Sequence, residues 1–269
     1  MRWVRVLVDG RVRFGVLREE GQVQLVAGSP FAVEEGGAGA PGAGGSRAPE
    51  LEPDGPPLPL AAVRLLAPCT PTKIVAAGLN YRDHAQELGL ALPEEPILFL
   101  KPSTAVIGPE EEIVLPAMSR QVDYEAELAA VVGRRCRNLS PDRVPQYLLG
   151  YTCFNDVTAR DLQRKDGQWT RAKSFDTFAP LGPCITDEID PDDVAVELYL
   201  NGERRQSSTT RNLIFSVAEL VSFVSRIMTL EPGDVIATGT PSGIGPLSPG
   251  DVVEVAIPGI GRLRNRVRG

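Results

Sequence analysis

Hydrophobic and polar positions alternate from the first residues of the chain. "RWVRVLV", an Asp9-Gly10 turn, "RVRFGVL" and, after "EEG", "QVQLV" follow one another. Asp-Gly between two alternating runs is a hairpin signal, so residues 2–26 are predicted to form a small antiparallel meander. The alternation then lapses. Residues 34–57, "EEGGAGAPGAGGSRAPELEPDGPP", are rich in Gly, Ala and Pro, cannot bury a core, and are expected as a flexible surface loop or linker.

From about residue 66 the pattern is denser. Ser140-Pro141 supplies an N-cap and a proline at the first helical position, and Gly150 supplies a stop, which predicts a helix between them. Ser216 to Glu219 forms a capping box ahead of Leu220, Val221, Val224, Ile227 and Met228 at helical spacing. The tail returns to strands, "DVIATGT", "DVVEVAI" and "GRLRNRV", the first two each launched by Pro-Gly-Asp. The class expected is α+β, mainly β: a small N-terminal β domain over residues 1–66 and a larger domain over 67–269 with a few helices.

One strand carries an unusual load. In "VDYEAELAAVVG", residues 122–133, Asp123, Glu125 and Glu127 alternate with Tyr124, Ala126 and Leu128, so the three acids share a face at about 7 Å spacing. The following Ala129-Ala130-Val131-Val132 is apolar on both faces, as in a strand sheathed on each side. Three like charges on a strand entering a core face either open water or a cation. A hard divalent ion would be satisfied by two or three carboxylates plus water.

A further acid comes from "YTCFNDVTARDLQRKDGQW". Asp156 follows an apolar run where a helix from about Val157 would start, and Arg160 and Gln163 would then share its face. That position suits either an N-cap or a ligand reaching into a cleft. The chain's single histidine lies in "GLNYRDHAQELGL". If Asn80 caps a short helix, His84 and Glu87 stand one turn apart, where the carboxylate can orient the ring for proton transfer. An inert histidine fits the same pattern.

Composition narrows the field. The chain has 269 residues, 28 basic against 35 acidic and a net charge of −7, which argues against nucleic acid or an anionic membrane as partner. No apolar run approaches the length of a membrane span, and the opening residues lack a signal-peptide core, so a soluble cytoplasmic protein is expected. The four cysteines lack zinc or redox spacing and are expected as buried hydrophobes. Only four basic residues are lysines, Lys73, Lys101, Lys165 and Lys173, which hints that lysine is kept where a compact charge is needed. No nucleophile elbow or P-loop is present.

The order of "GLNYRDHAQE", "FLKP", "VDYEAELAAVVG", "GYTCFNDVTARDLQ", "AKSFDTFAPLGP", "LYLNGERRQ" and "TGTPSGIG" resembles the fumarylacetoacetate hydrolase family, over roughly residues 70–269. Within it the chain looks most like the bacterial 2-hydroxyhepta-2,4-diene-1,7-dioate isomerase and 5-oxopent-3-ene-1,2,5-tricarboxylate decarboxylase group. The resemblance implies a mixed β-roll or sandwich catalytic domain and a homodimer. It implies that Glu125, Glu127 and Asp156 bind Mg²⁺ or Mn²⁺, with Ca²⁺ as an in-vitro substitute, and that Asp123 supports them. His84 and Glu87 would be the proton-transfer dyad on a lid, and Lys173 would lie beside the substrate. Arg160 and Gln163 would line the pocket, and Thr240 would touch the substrate carboxylate. Fumarylacetoacetases proper carry a further Asp ligand seven residues before the histidine; here that residue is Ala77, which makes fumarylacetoacetate itself a poor fit.

The chemistry implied is a 2-oxo or 2-enol acid chelated by the metal, with charge on its enolate stabilised by the metal and Lys173. Isomerisation or decarboxylation of aromatic-degradation diacids comes first. Acylpyruvate C–C hydrolysis, oxaloacetate decarboxylation and sugar-acid dehydration are its rivals. A non-catalytic β protein that binds a metal or an acid is the alternative from another class.

Overall fold

The computed structural model describes residues 1–18, 21–31 and 51–269. Its centre is a 12-stranded sheet. Ten of its strands run, from one edge, in the order Leu58–Pro59, Gln22–Leu25, Arg11–Arg18, Arg2–Val8, Ala179–Thr186, Leu148–Asn155, Ala126–Val132, Val235–Ala237, Ile74–Ala77 and Leu98–Lys101; the other two, Arg64–Leu66 and Val106–Ile107, pair with Arg2–Val8 and Ala179–Thr186. A five-stranded sheet packs nearby, Glu203–Thr209, Ala195–Leu200, Val252–Ile257, Gly261–Arg268 and Glu112–Val114. A three-stranded sheet joins Thr158–Ala159, Val122–Tyr124 and Gly245–Pro246. The mainly β, α+β class is therefore the one observed.

The opening meander forms as its pattern predicts. Arg2–Val8 pairs with Arg11–Arg18 through a turn in which both Asp9 and Gly10 have positive φ, 49° and 72°. It also joins the main sheet, because Arg2 and Trp3 pair with Thr186 and Ile185. Of the Gly/Pro-rich loop, residues 34–50 lie outside the described residues. Its last part is tied down: the Ala27 N–H donates to the Glu52 carbonyl and the Asp54 N–H to the Leu25 carbonyl, both at 2.9 Å.

The strand Ala126–Val132 is buried along its whole length. Leu128, Ala130 and Val132 enter one hydrophobic cluster while Ala129 and Val131 enter another, so the strand separates two cores. That anchors it, since any one-residue slip would exchange the two sets of side chains.

Four local expectations need correction. Residues 122–133 are not one strand: Val122–Tyr124 belongs to the three-stranded sheet, and the chain breaks at Glu125 before Ala126. Side chains satisfy the backbone there, Glu125 N–H donating to Asn155 Oδ1 and Ala126 N–H to Gln206 Oε1, both at 2.9 Å. The Ser140–Gly150 helix is a short 3₁₀ segment, Pro141–Gln146, which holds an internal Pro145 that a longer α-helix would not tolerate. Gly150 instead lies within Leu148–Asn155, where a Cβ would meet the Thr186 carbonyl oxygen at 2.4 Å.

The helix expected from Val157 starts at Arg160, after the short strand Thr158–Ala159; Asp156 lies in a tight turn closed by the Val157 N–H on the Asn155 carbonyl at 2.9 Å and caps nothing. Asn80 does not cap the helix Arg82–Leu88 either. Its side chain donates to the Phe215 and Thr238 carbonyls at 3.0 and 2.8 Å and accepts from Phe215 N–H at 2.8 Å, stapling three segments. The capping box at Ser216 is formed in full, and Val217–Ile227 follows.

Candidate active site

The break at Glu125 builds the site. Ala126 pairs with Asn155, so Glu125 and Asp156, one step further along each strand, come opposite one another. The Asp156 N–H donates to the Glu125 carbonyl at 2.8 Å and holds them there. Glu127, the second residue of Ala126–Val132, brings its carboxylate to the same place. One carboxylate oxygen from each of Glu125, Glu127 and Asp156 lies within 4.8 Å of the others, and all three residues are buried.

Such a trio cannot persist without positive charge. Lys173 Nζ, in the short helix Thr170–Lys173, donates to Glu125 Oε2 at 2.9 Å and to Asp156 Oδ2. Lys101 Nζ donates to Asp156 Oδ1 and, at 3.1 Å, to the Val157 carbonyl. Arg160 commits three nitrogens: Nε to Asp123 Oδ2 at 2.8 Å, Nη2 to Glu125 Oε1 and Nη1 to Gln163 Oε1. Asp123 thus reaches the trio only through Arg160.

The acids respond unequally. Burial works to raise the Glu125 carboxyl, but the Lys173 and Arg160 charges overcome it and hold its pKa below the usual range. Burial opposes the Lys173 ammonium too, and Asp156 and Glu125 overcome it, raising its pKa. For Lys101 burial prevails over the attraction of Asp156, and Lys173 adds repulsion, so its pKa is lowered. Glu127 has no ion-pair partner among the described residues. Burial first, then Asp156 and Glu125, push its pKa well above the ordinary value, against one hydrogen bond from Gly239 N–H at 2.8 Å.

This donor set fits a hard divalent cation. Three carboxylate oxygens converge, and the most buried acid without a counter-ion, Glu127, is where added positive charge is needed. The Tyr81 hydroxyl, fully buried, has no hydrogen-bond partner among the described residues, and burial and then Glu127 and Asp83 push its pKa up. An orphaned hydroxyl close to Glu127 suits a cation that brings its own water. Ala77 is buried and apolar, so the acid group among the described residues stays at three.

His84 and Glu87 pair as their spacing predicts, Nδ1 to Oε2 at 3.0 Å, on the helix Arg82–Leu88. Asp83 accepts from Ser208 Oγ at 2.5 Å, and Glu87 accepts from Gly243 N–H at 3.1 Å. The loop "TGTPSGIG" therefore touches both groups, Gly239 on Glu127 and Gly243 on Glu87. At Gly239, with φ of +96°, a Cβ would stand 2.9 Å from Asn80 Cβ, so the loop's close approach requires glycine. Thr240 is buried, and its Oγ1 accepts from Gln206 Nε2 at 2.9 Å.

Sequence reasoning missed Lys101, Gln206 and Asn155 as parts of this assembly. The motifs "FLKP" and "LYLNGERRQ" and the scarcity of lysine carried the signal for the first two.

A family model described as "Fumarylacetoacetate (FAA) hydrolase C-terminal" matches residues 73–268. The chain belongs to the fumarylacetoacetate hydrolase family. A second model, "Rv2993c-like, N-terminal", matches residues 1–68. Among solved structures, this family member is similar to 5-carboxymethyl-2-hydroxymuconate delta-isomerase from Mycobacterium smegmatis, with a TM-score of 0.88, 43% identity and coverage of 100% of this chain and 99% of that one. It is similar to 2-hydroxyhepta-2,4-diene-1,7-dioate isomerase from Mycobacterium marinum, with a TM-score of 0.87 at 40% identity, covering 100% and 98% of the two chains. It is also 39% identical to 2,4-didehydro-3-deoxy-L-rhamnonate hydrolase of Sphingomonas sp., over 99% of this chain and 96% of that protein. Family members thus include isomerases and hydrolases acting on small acids. The four cysteines are free and buried, and no described helix is long and apolar enough to cross a membrane.

Proposed function

We propose that this protein is a Mg²⁺- or Mn²⁺-dependent enzyme acting on 2-oxo and 2-enol carboxylic acids. Its first reaction is isomerisation or decarboxylation of diacids of the 2-hydroxyhepta-2,4-diene-1,7-dioate type. The observation that carries this reading is the buried Glu125, Glu127 and Asp156 trio with Lys173 bridging two of its members. The named isomerases among its structural relatives support the substrate class.

A divalent cation there would supply a Lewis acid to polarise a 2-oxo acid. Glu125, Glu127 and Asp156 hold it. Lys173 keeps a buried positive charge beside Glu125 and Asp156, where it would offset negative charge developing on a substrate oxygen, in surroundings where such a charge counts for more than in water. Glu87 accepts from His84 Nδ1, which leaves Nε2 as the ring nitrogen that takes or gives the substrate proton. Thr240 Oγ1 accepts from Gln206, so its own O–H is left to donate to a substrate carboxylate. Gln163 Oε1 accepts from Arg160, which leaves its amide N–H groups to donate for the same purpose. Arg160 orients Glu125 and Gln163. The helix Arg82–Leu88 acts as a lid, latched in this conformation through Asp83–Ser208 and Glu87–Gly243.

The test is a panel of 2-oxo diacids, acylpyruvates and oxaloacetate with Mg²⁺, Mn²⁺ or EDTA, read by enol absorbance and product mass. Turnover of a diacid dependent on added metal, with the carbon skeleton intact or one CO₂ lost, supports the reading. Products split between two carbonyls would assign acylpyruvate C–C hydrolysis instead. Turnover that survives EDTA would sink the metal assignment.

A further inference from the structure

The edge strand Leu98–Lys101 is built the wrong way round for a core. Leu100 is 51% exposed while Lys101, its neighbour, is 1% exposed. Burial of apolar surface favours the opposite arrangement. Among the described residues the strand has a single partner, Ile74–Ala77, with Ile74 opposite Lys101. An inward charge can guard an exposed sheet edge against pairing with another chain. That role asks nothing of where the ammonium goes.

Here the ammonium goes to one place. Lys101 Nζ donates to Asp156 Oδ1 and to the Val157 carbonyl, and it lies 5.9 Å from the centre of the Phe154 ring. It therefore clamps both the carboxylate and the chain just beyond it. Phe99, two residues earlier on the same face, lies 4.8 Å under Lys173 Nζ and packs edge-on against Trp169 at 5.3 Å. One edge strand thus supports both cations that flank Asp156. With Lys173 on Oδ2 and Lys101 on Oδ1, the Asp156 carboxylate cannot rotate without losing a charge-assisted bond.

We propose that Lys101 is a positioning residue for the cation site: it fixes the Asp156 carboxylate in its ligating orientation and so sets the affinity for the divalent ion. The inference rests on the metal reading given above. Groups that orient a metal ligand from behind contribute roughly 10- to 100-fold to metal affinity.

The test is Mn²⁺ titration followed by electron paramagnetic resonance, on the whole chain, for the native protein, Lys101→Met and Lys101→Gln. Met keeps the aliphatic stem and removes the donor, whereas Gln keeps a shorter N–H donor. Mn²⁺ binding weakened by about 10- to 100-fold in Lys101→Met, with Lys101→Gln in between, supports the proposal. Both variants binding within twofold of the native protein would overturn it, whatever happens to their melting temperatures in EDTA. So would tighter binding in Lys101→Met, which would mean that the ammonium merely repels the cation. Native protein that binds no Mn²⁺ would instead overturn the metal reading itself. If neither variant folds, a crystal structure of the native protein with Mn²⁺ decides. Lys101 Nζ on an Asp156 carboxylate that also ligates the ion supports the role, and an ammonium turned away from it contradicts the role.

Discussion

The backbone N–H of Asp156 donates to the carbonyl of Glu125 at 2.8 Å, and Lys173 bridges the carboxylates of the same two residues. One strand break therefore creates two adjacent buried acids together with the place for their shared counter-charge. In Lys173→Met the acids lose that charge, and the expected result is a fall in kcat of roughly 10²- to 10³-fold. Breaking a buried ion pair by removing one partner costs about 3–5 kcal/mol. Stability measured in EDTA should fall accordingly, and Mn²⁺ should raise the melting temperature more in the variant than in the native protein, because the cation replaces the missing charge. Equal metal-induced shifts in both proteins would contradict this.

Glu127 and Glu125 make opposite contributions to stability against pH. Glu127 is raised above the ordinary value of 4.5, so the folded apo-protein binds a proton there that the unfolded chain has released. Its contribution is present below 4.5 and is lost as pH rises through its raised folded value. Glu125 is depressed, so its contribution is present above 4.5 and is lost as pH falls through its lowered folded value. Urea unfolding of the metal-free protein should therefore give a stability that declines with pH above 4.5 in the window set by Glu127, a decline removed in Glu127→Gln.

His84 is separable from the metal trio. His84→Ala should lower kcat on the best substrate by about 10²- to 10⁴-fold and leave Mn²⁺ affinity within twofold. Gly243→Ala should reduce turnover in the same direction by displacing the N–H that holds Glu87. At Gly243, φ is +92°, and a Cβ would stand 2.4 Å from the Arg205 carbonyl oxygen. Full activity in His84→Ala would remove the dyad from the mechanism.

Asp234 supplies a structural contrast. Its buried carboxylate accepts from Thr72 N–H at 3.1 Å, Thr72 Oγ1 at 2.6 Å, Lys73 N–H at 3.2 Å and Glu231 N–H at 2.8 Å, and pairs with Lys73 Nζ. Asp234→Ala takes the shared acceptor from a set of part-buried donors and should cost about 1–3 kcal/mol by urea denaturation. Its per-site Mn²⁺ affinity should stay native, which separates loss of fold from loss of site.

Residues close in the chain were legible where one local rule governed them. The His84–Glu87 pair follows from helical spacing, the Asp9-Gly10 hairpin from positive φ at both turn residues, and the Ser216 capping box from reciprocal hydrogen bonds. The alternation of Asp123, Glu125 and Glu127 left open water and a cation as alternatives, and it hid the break at Glu125. That break is held by Asn155 and Gln206, 30 and 80 residues away from the backbone groups they satisfy. Gly150 and Pro141 carried helix-end chemistry, yet Gly150 is small because Thr186 crosses it, a reason no local pattern contains. Lys101 sits in a strand whose apolar neighbour Leu100 faces solvent, so its burial is not legible from residue type or alternation.

The most direct measurement is Mn²⁺ binding to the metal-stripped native protein and to Glu127→Gln, titrated side by side with diacid turnover. One Mn²⁺ per native chain is expected, with binding weakened by 100-fold or more and turnover lost together in Glu127→Gln. Native-like Mn²⁺ affinity in Glu127→Gln, or diacid turnover in its absence of bound metal, would contradict the role assigned to the trio.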